Sequence, residues 1–427
     1  MGGGGMGGGI PGTSFGGATD PSNVPMAGGF RIIPSITVAE RYDSNVFFTK
    51  KSPGLDRSDY VTRVVPQLRG LYGGEAMTVN ATISANGEYY AKNPNFNYIG
   101  TNAAMFLDLS PMFSRLWNGM NFRIVDQFRY TPQPPSFLVG NQEGDTSNLL
   151  QTGQQVGRVN STNNTIGANF NAPLTQTLNL LGGYINGFTR FGSSQVQQAG
   201  SLLNSSFQTF TVGLSKQVSP QDTVALNFFD SEFRYEQDAG SFSSRGGFVG
   251  WTHAFSPAVT LVSAAGINMV DRQSSNPGAT GTQEQSSVPS NAQNTITPRA
   301  NAVLTWRDNT TTLALAYGLT ISPSYQFAAQ PLLTNFVTFS VTQVTPIPQL
   351  LGLASVNYGR GDEIGSNSVN AVSYSSYQAT GGFLYSLTPQ TFLNLLYQYA
   401  NYDNQFGATT NSFDRHVVSI SIAQAFY

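Results

Sequence analysis

The stretch Ala76–Tyr90, AMTVNATISANGEYY, decides the fold. Met77, Val79, Ala81, Ile83, Ala85 and Tyr89 fall on one parity, with Gly87 between the last two. Thr78, Asn80, Thr82, Ser84, Asn86 and Glu88 fall on the other. Such alternation is the period-2 mark of a strand with one apolar and one polar face. It outruns a soluble strand, which typically holds about five or six residues. A tilted membrane-crossing strand needs about nine to eleven. The pattern recurs to the last residue, and the chain therefore reads as a transmembrane antiparallel β-barrel.

Composition agrees. Charged residues make up 10% of the 427, against roughly 25% in ordinary soluble proteins, while aromatics reach 12%. A charge-poor, aromatic-rich chain with 45 glycines suits a barrel whose outside faces lipid and whose inside is polar. The formal net charge of −2 offers no basic field for nucleic acid. Cysteine is absent, which excludes disulfides, thiolate metal sites and covalently attached c-type haem. No run of about 18 apolar residues exists, so helical spans are excluded. The opening MGGGGMGGGIPG has neither a basic n-region nor an apolar h-region. Since a barrel must first cross the inner membrane, the numbering is expected to start on a processed or truncated form.

Residues 1–29 read as a Gly-rich flexible arm, and residues 30–427 as the barrel. From Phe30 onward the connections alternate between two kinds. Short ones carry tight-turn residues: Gly73–Glu75, Asn171–Pro173, Ser219–Asp222, Ser256–Ala258, Arg307–Asn309, Pro346–Pro348 and Thr388–Gln390, with a slightly longer Ser110–Gly119. Long polar ones are Ser44–Ser58, Asn93–Gly100, Thr131–Gln155, Phe191–Ser205, Glu236–Ser244, Arg272–Asn294, Ile321–Leu332, Gly359–Asn370 and Asn401–Asn411. Eight short turns and nine long loops imply 18 strands, with 16 as the alternative count. The even number puts both ends on one side, which short turns mark as periplasmic in outer-membrane barrels.

Alternation sorts the faces of other strands. Phe122, Ile124, Phe128 and Tyr130 oppose Asn121, Arg123, Gln127 and Arg129. Asp126 falls on the apolar parity and is expected near a rim. Leu393, Leu395, Tyr397 and Tyr399 oppose Asn394 and Gln398. The predicted lumen-lining residues are Thr78, Asn80, Thr82, Ser84, Asn86, Asn121, Arg123, Gln127, Arg129, Arg299, Asn301, Asn394 and Gln398. They are mostly neutral donors and acceptors, fit to hydrate a pore or bind sugar hydroxyls. Arg123 and Arg129 would add a cationic strip for anionic solutes, unless carboxylates across the lumen pair with them. Tyr89, Tyr90, Trp251, Phe255, Trp306, Tyr397 and Tyr399 are expected in the interfacial girdles.

The first strand carries a second signal. Pro34–Phe47, PSITVAERYDSNVF, ends in Tyr42-Asp43-Ser44-Asn45-Val46-Phe47, and Asp59–Leu68 contains Pro66-Gln67-Leu68. This pairing resembles a porin-like outer-membrane family found beside exopolysaccharide-export and exosortase systems. The final strand, Phe413–Tyr427, resembles the recognition signal of outer-membrane barrels, although its apolar parity (Val418, Ile420, Ile422) leads to Phe426 rather than to Tyr427. The resemblance covers about the first 70 residues and the last strand. It implies a barrel linked to polysaccharide export and identifies no solute site.

Residues for catalysis or metal binding are sparse. The two histidines, His253 and His416, sit in no visible Ser-His-Asp grouping and read as interfacial or capping groups. Asp56/Asp59 and Asp362/Glu363 fall in predicted loops without calcium-loop spacing. Arg360-Gly361-Asp362 is too short a match to weigh. The reading is therefore a non-enzymatic outer-membrane channel without cofactor or metal, for export or diffusion of polar solutes. Expected partners are outer-membrane lipid and lipopolysaccharide, the barrel-assembly machinery, and a polysaccharide or periplasmic export protein, but no nucleic acid. The alternative is a structural anchor or sheath for a partner, including an electron conduit whose haem the partner supplies.

Overall fold

A membrane-spanning sheet must satisfy its backbone groups internally, which leaves an open sheet no stable edge. The computed structural model describes residues 29–50, 56–131, 159–194, 202–236, 240–273, 294–323, 331–364, 372–406 and 409–426. They form 18 strands. The first six are β1 (Gly29–Asp43), β2 (Asp59–Gly73), β3 (Thr78–Tyr90), β4 (Tyr98–Asp108), β5 (Asn121–Thr131) and β6 (Val159–Pro173). Then come β7 (Leu178–Ser194), β8 (Ser205–Gln217), β9 (Asp222–Tyr235), β10 (Ser241–Ser256), β11 (Val259–Gln273) and β12 (Thr295–Arg307). The last six are β13 (Thr311–Pro323), β14 (Pro331–Val344), β15 (Leu350–Glu363), β16 (Val372–Thr388), β17 (Thr391–Phe406) and β18 (Thr409–Ala425). Each pairs antiparallel with its sequence neighbour, and β1 pairs with β18, so the sheet closes.

The predicted strand count, even parity and alternation of connections are all present. The short connections use local hydrogen bonds. In the β12–β13 turn, Asp308 Oδ1 accepts the Thr310 and Thr311 N–H groups, each at 2.7 Å, and these donors hold its carboxyl below the ordinary range. The longest short connection contains a helix, α1 (Ser110–Leu116), followed by Gly119 at φ 79°. Trp117 Nε1 ties this segment to Pro173 O at 2.8 Å.

Several predicted loops are shorter than expected. Asn401–Asn411 is mostly strand: β17 and β18 run on together until only residues 407–408 separate them. Here Asn401, Asp403 and Asn404 lack the apolar alternation that marks a lipid-facing strand, yet ladder hydrogen bonds need no apolar face. The same applies to Gly359–Glu363 at the end of β15 and to Phe191–Ser194 at the end of β7. Sixteen of the 18 strands, at 13 to 17 residues, thus exceed a bare crossing and project beyond it at the long-loop end. Residues 1–28 of the predicted arm 1–29 and residues 132–155 of the predicted loop Thr131–Gln155 lie outside the described residues, whereas Gly29 opens β1 and Thr131 closes β5.

The register carries one parity around the sheet. The exposed large apolar side chains Ile32, Val38, Leu68, Ile83, Val212, Leu226, Ile267, Leu315, Val356, Leu395 and Ile420 all share the outer face. Asp222, Trp251, His253 and Phe255 cluster on this face at the short-turn end, as an interfacial girdle would. Tyr90, by contrast, faces inward and is buried, whereas Tyr89 is outside. Inside, packing is graded. Toward the long-loop end Val61, Glu88, Phe242, Val270, Thr334, Val372, Tyr402 and Asn404 are buried. Farther toward the short turns Thr37, Gln67, Thr82, Thr338, Ser340 and Asn394 are only half-buried.

The β1–β18 seam is reinforced where the chain leaves β1. Arg415 Nε donates to Asp43 Oδ1 at 3.0 Å, and both side chains are buried. Ser44 exchanges hydrogen bonds with His416: its N–H donates to His416 O at 3.0 Å, and its Oγ accepts His416 N–H at 2.8 Å. Asn45 is fully buried; its Nδ2 donates to Thr49 O at 2.9 Å and to Asp414 O at 3.2 Å. Phe48, at φ 55°, packs against Ala400, Tyr402 and Phe413 beneath the Arg415 guanidinium. Such a backbone conformation is costly for a bulky residue and persists where packing and hydrogen bonds over-determine it.

Two outcomes follow from this geometry. Asp43→Ala removes the carboxylate that Arg415 donates to within the buried seam, which costs about 3–5 kcal/mol. It should lower the urea midpoint of barrel unfolding, and adding Arg415→Leu should recover part of the loss. Because the chain lacks cysteine, single probes are clean. In membranes, Asn80→Cys and Asn394→Cys should react with a hydrophilic maleimide at least tenfold faster than Ile83→Cys and Leu395→Cys.

Candidate lumen site

The predicted lumen residues sit on one surface. The ladder β2–β3–β4–β5 places Asn80, Thr82, Ser84 and Asn86 on the same face as Asn121, Arg123, Gln127 and Arg129, away from the apolar belt. The ladders of β11–β13 and β16–β18 place Arg299, Asn301, Asn394 and Gln398 on that face too. Ser84, Asn86 and Gln398 are buried within the wall, whereas the others retain partial exposure.

Charge is the property that composition conceals. Among the described strand residues, ten arginines face inward: Arg31, Arg41, Arg63, Arg69, Arg123, Arg129, Arg272, Arg299, Arg307 and Arg415. Five carboxylates share that face: Asp43, Asp59, Glu88, Asp108 and Glu363. The chain as a whole carries −2, yet the inner face of the described strands is cationic. Seven of these arginines lie on the contiguous wall that runs from β18 through β1 to β5, on strands β18, β1, β2 and β5. Seven of the ten (Arg31, Arg41, Arg63, Arg69, Arg272, Arg307 and Arg415) fall outside the sequence prediction. Their strands carry apolar side chains on the inner face as well, such as Ile33, Val61 and Leu71, which blurs the alternation.

The arginines are held differently. Arg41 donates through Nη1 and Nη2 to the two oxygens of Glu88 at 3.3 and 3.0 Å, and Tyr90 Oη donates to Glu88 Oε2 at 2.7 Å. All three are buried, so this is a fixed part of the rim rather than a ligand site. Arg123 lies 3.6 Å from Asp108, the carboxylate pairing that was the alternative to a cationic strip. Arg69 Nε donates to Asn80 at 3.0 Å, and Arg63 Nε donates to Asn86 at 2.6 Å. Arg129 makes no ion pair among the described residues. Arg299 stacks over Phe229 and Phe248, 4.6 and 5.0 Å from the ring centroids. Among the described residues no carboxylate pairs with Arg63, held by a neutral amide, or with Arg129, whereas Arg41 and Arg415 are neutralised.

The remaining candidate groups resolve into structure. Asp59 is buried and accepts the Lys92 and Asn93 N–H groups, each at 2.9 Å. Asp56 pairs with Lys92 Nζ at 2.7 Å, and that ammonium holds its carboxyl far below the ordinary range. Asp362 and Glu363 lie in β15 rather than a loop and point to opposite faces, so they do not form a cluster; Asp362 pairs with Arg360. Among the described residues no group of three His, Asp or Glu side chains converges as a metal site. His416 lies within β18, its Nδ1 2.9 Å from Tyr397 Oη.

Ser219, Asp222 and His253 do meet, a grouping the sequence conceals. Ser219 Oγ donates to Asp222 Oδ2 at 2.6 Å, and His253 Nδ1 lies 2.7 Å from Asp222 Oδ1. The carboxylate stands between the other two, however, so the imidazole is not placed to deprotonate the serine, as nucleophilic catalysis requires.

No protein-family model matches the sequence, and no curated protein matches it. Solved structures do resemble the fold. The Pseudomonas aeruginosa protein OpdO is 13% identical at a TM-score of 0.47, over 93% of this chain and 98% of its own. The outer-membrane protein opdK from the same organism is 11% identical at 0.47, over 93% of this chain and 99% of its own.

Proposed function

We propose that the chain is an integral channel of the bacterial outer membrane that passes polar solutes and prefers anions. The excess of inward arginine over inward carboxylate carries this reading. In a lumen walled by low-dielectric protein and lipid, unneutralised charges raise the local concentration of counter-charged solutes. Neutral side chains such as Thr82, Asn80 and Asn394 supply hydration and exchangeable hydrogen bonds between the charges. The short turns would lie in the periplasm, with assembly by the barrel machinery and lipopolysaccharide around the projecting strands. The opening-strand resemblance adds polysaccharide export to this reading, and an acidic polymer is the kind that a cationic wall suits.

A second reading, a sheath or anchor for a partner, is favoured by the burial of inward side chains at the long-loop end. One measurement separates the two. In planar bilayers under a KCl gradient, the full-length protein should conduct with an anion-selective reversal potential. Arg63→Gln combined with Arg129→Gln should lower the chloride-to-potassium permeability ratio at least twofold. Cation selectivity would overturn the proposal. Silence that persists after deletion of residues 1–28 would favour the sheath, and silence relieved by that deletion would mark the arm as a plug.

A further inference from the structure

One wall of the barrel breaks the rule that the belt is apolar. Asp126 is the sixth residue of β5, where a crossing takes about nine to eleven residues, so it stands at mid-depth rather than near a rim as its sequence context led us to expect. It faces outward. Along β5 it lies between Ile124 and Phe128; across the ladder it faces Met105 and Ile166, which are 37% and 41% exposed. Among the described residues its carboxylate accepts one hydrogen bond, from Asn164 Nδ2 at 2.9 Å. A carboxylate has about four acceptor positions, and hydrocarbon supplies no donors for the rest.

The neighbourhood is polar in an organised way. Ile166 has Asp126 opposite it on β5, Asn186 opposite it on β7, and Asn164 two positions along β6. Next to this ring, on the same outer face, runs a groove of about 480 Å³ between Phe122, Phe170, Tyr184, Phe210 and Phe228. Gly182, in its wall, lies beneath the Phe170 ring, which a Cβ there would strike. The Tyr184 hydroxyl, at the groove's edge, makes no hydrogen bond among the described residues.

We propose that this outer face of β5–β9 is a self-association surface that seats a second copy of the chain. The patch holds an acceptor short of donors, a donor without an acceptor, and an aromatic-lined notch beside exposed aromatic rings. A two-fold contact sets each feature of one copy against its complement on the other, as an isologous interface requires. Lipid acyl chains can fill the groove but cannot serve Asp126 at mid-depth, and a soluble partner cannot reach it. The surface is independent of what the lumen passes.

Sedimentation equilibrium in density-matched detergent reads the association directly, and single cysteines locate it in bilayers. The wild-type protein should sediment at twice the chain mass. Ile166→Cys copies should form a disulfide under mild oxidation, and Leu315→Cys copies, on β13, should not. Asp126→Leu should weaken dimerisation at least tenfold while leaving the barrel folded by heat-modifiable electrophoretic mobility, and Asp126→Asn should retain more of it. A monomer in detergent that also fails to cross-link at Ile166→Cys in bilayers would overturn the proposal, leaving lipid as the occupant. So would a dimer that is indifferent to Asp126→Leu or that cross-links equally through Leu315→Cys.

Discussion

Hydrocarbon gives the backbone no hydrogen-bond partners, so every strand must find both neighbours within the chain. That constraint closes the sheet, makes the β1–β18 pairing obligatory, and turns side-chain parity into a property of the whole molecule. A one-residue slip at any ladder would invert every strand beyond it. Continuous registers from β1 through β18 and back to β1 therefore let the strong alternation of one strand, β3, define inside and outside for all the others. Pro66 shows how much the closure tolerates. It has no N–H to donate, and the β2–β3 ladder lapses beside it, yet the pairing resumes at Gln67↔Ser84 in the same register.

Closure also separates charge that the composition averages away. A net charge of −2 implies a near-neutral protein, but inward and outward faces are different solvents. Arginine collects inside, where water and Asn or Glu partners receive it. Many outward carboxylates, among them Asp230, Glu232 and Asp362, sit on the projecting strand ends beside Arg245, Arg234 and Arg360. These exposed rim pairs contribute little stability individually, because water screens them. They keep the strand extensions soluble above the lipid, which explains why the outer faces of those extensions are polar.

That loss of an apolar outer face marks the limit of what the sequence discloses. Strand number and the order of short and long connections are legible because turn chemistry at Asp308 or Ser256 is local. The inward placement of Asn80, Arg129 or Gln398 follows from alternation with lipid-facing neighbours. Where no lipid enforces alternation, as in Asn401–Phe406, a strand is indistinguishable from a loop. Where the interior itself packs apolar side chains, as around Val61 and Leu71, inward arginines on the same strands escape notice. Depth is invisible for a different reason: parity says that Asp126 faces outward, but only the positions of the flanking turns say how far into the membrane it lies.

The Tyr42–Phe47 motif shows how a family-like signal separates from a solute site. Tyr42 stays outside, 5.4 Å from Tyr60 across the ladder. Asp43 holds Arg415, Ser44 bridges to His416, and Asn45 ties Thr49 to Asp414, so three consecutive polar residues bind the first strand to the last. Val46 then joins Val61, Tyr90 and Phe96 in one buried cluster, with Phe47 packed against it, while Phe48 joins Tyr402 and Phe413 in another. The motif thus turns the chain inward across the seam and anchors it on both sides. Closing the seam in this way demands each residue type in turn. Short polar side chains make the local and cross-seam hydrogen bonds, and apolar ones fill the space they open. The motif therefore reports how this barrel closes. What passes through it depends instead on residues such as Arg63 and Arg129, which belong to no contiguous motif because two separate strands deliver them to one wall.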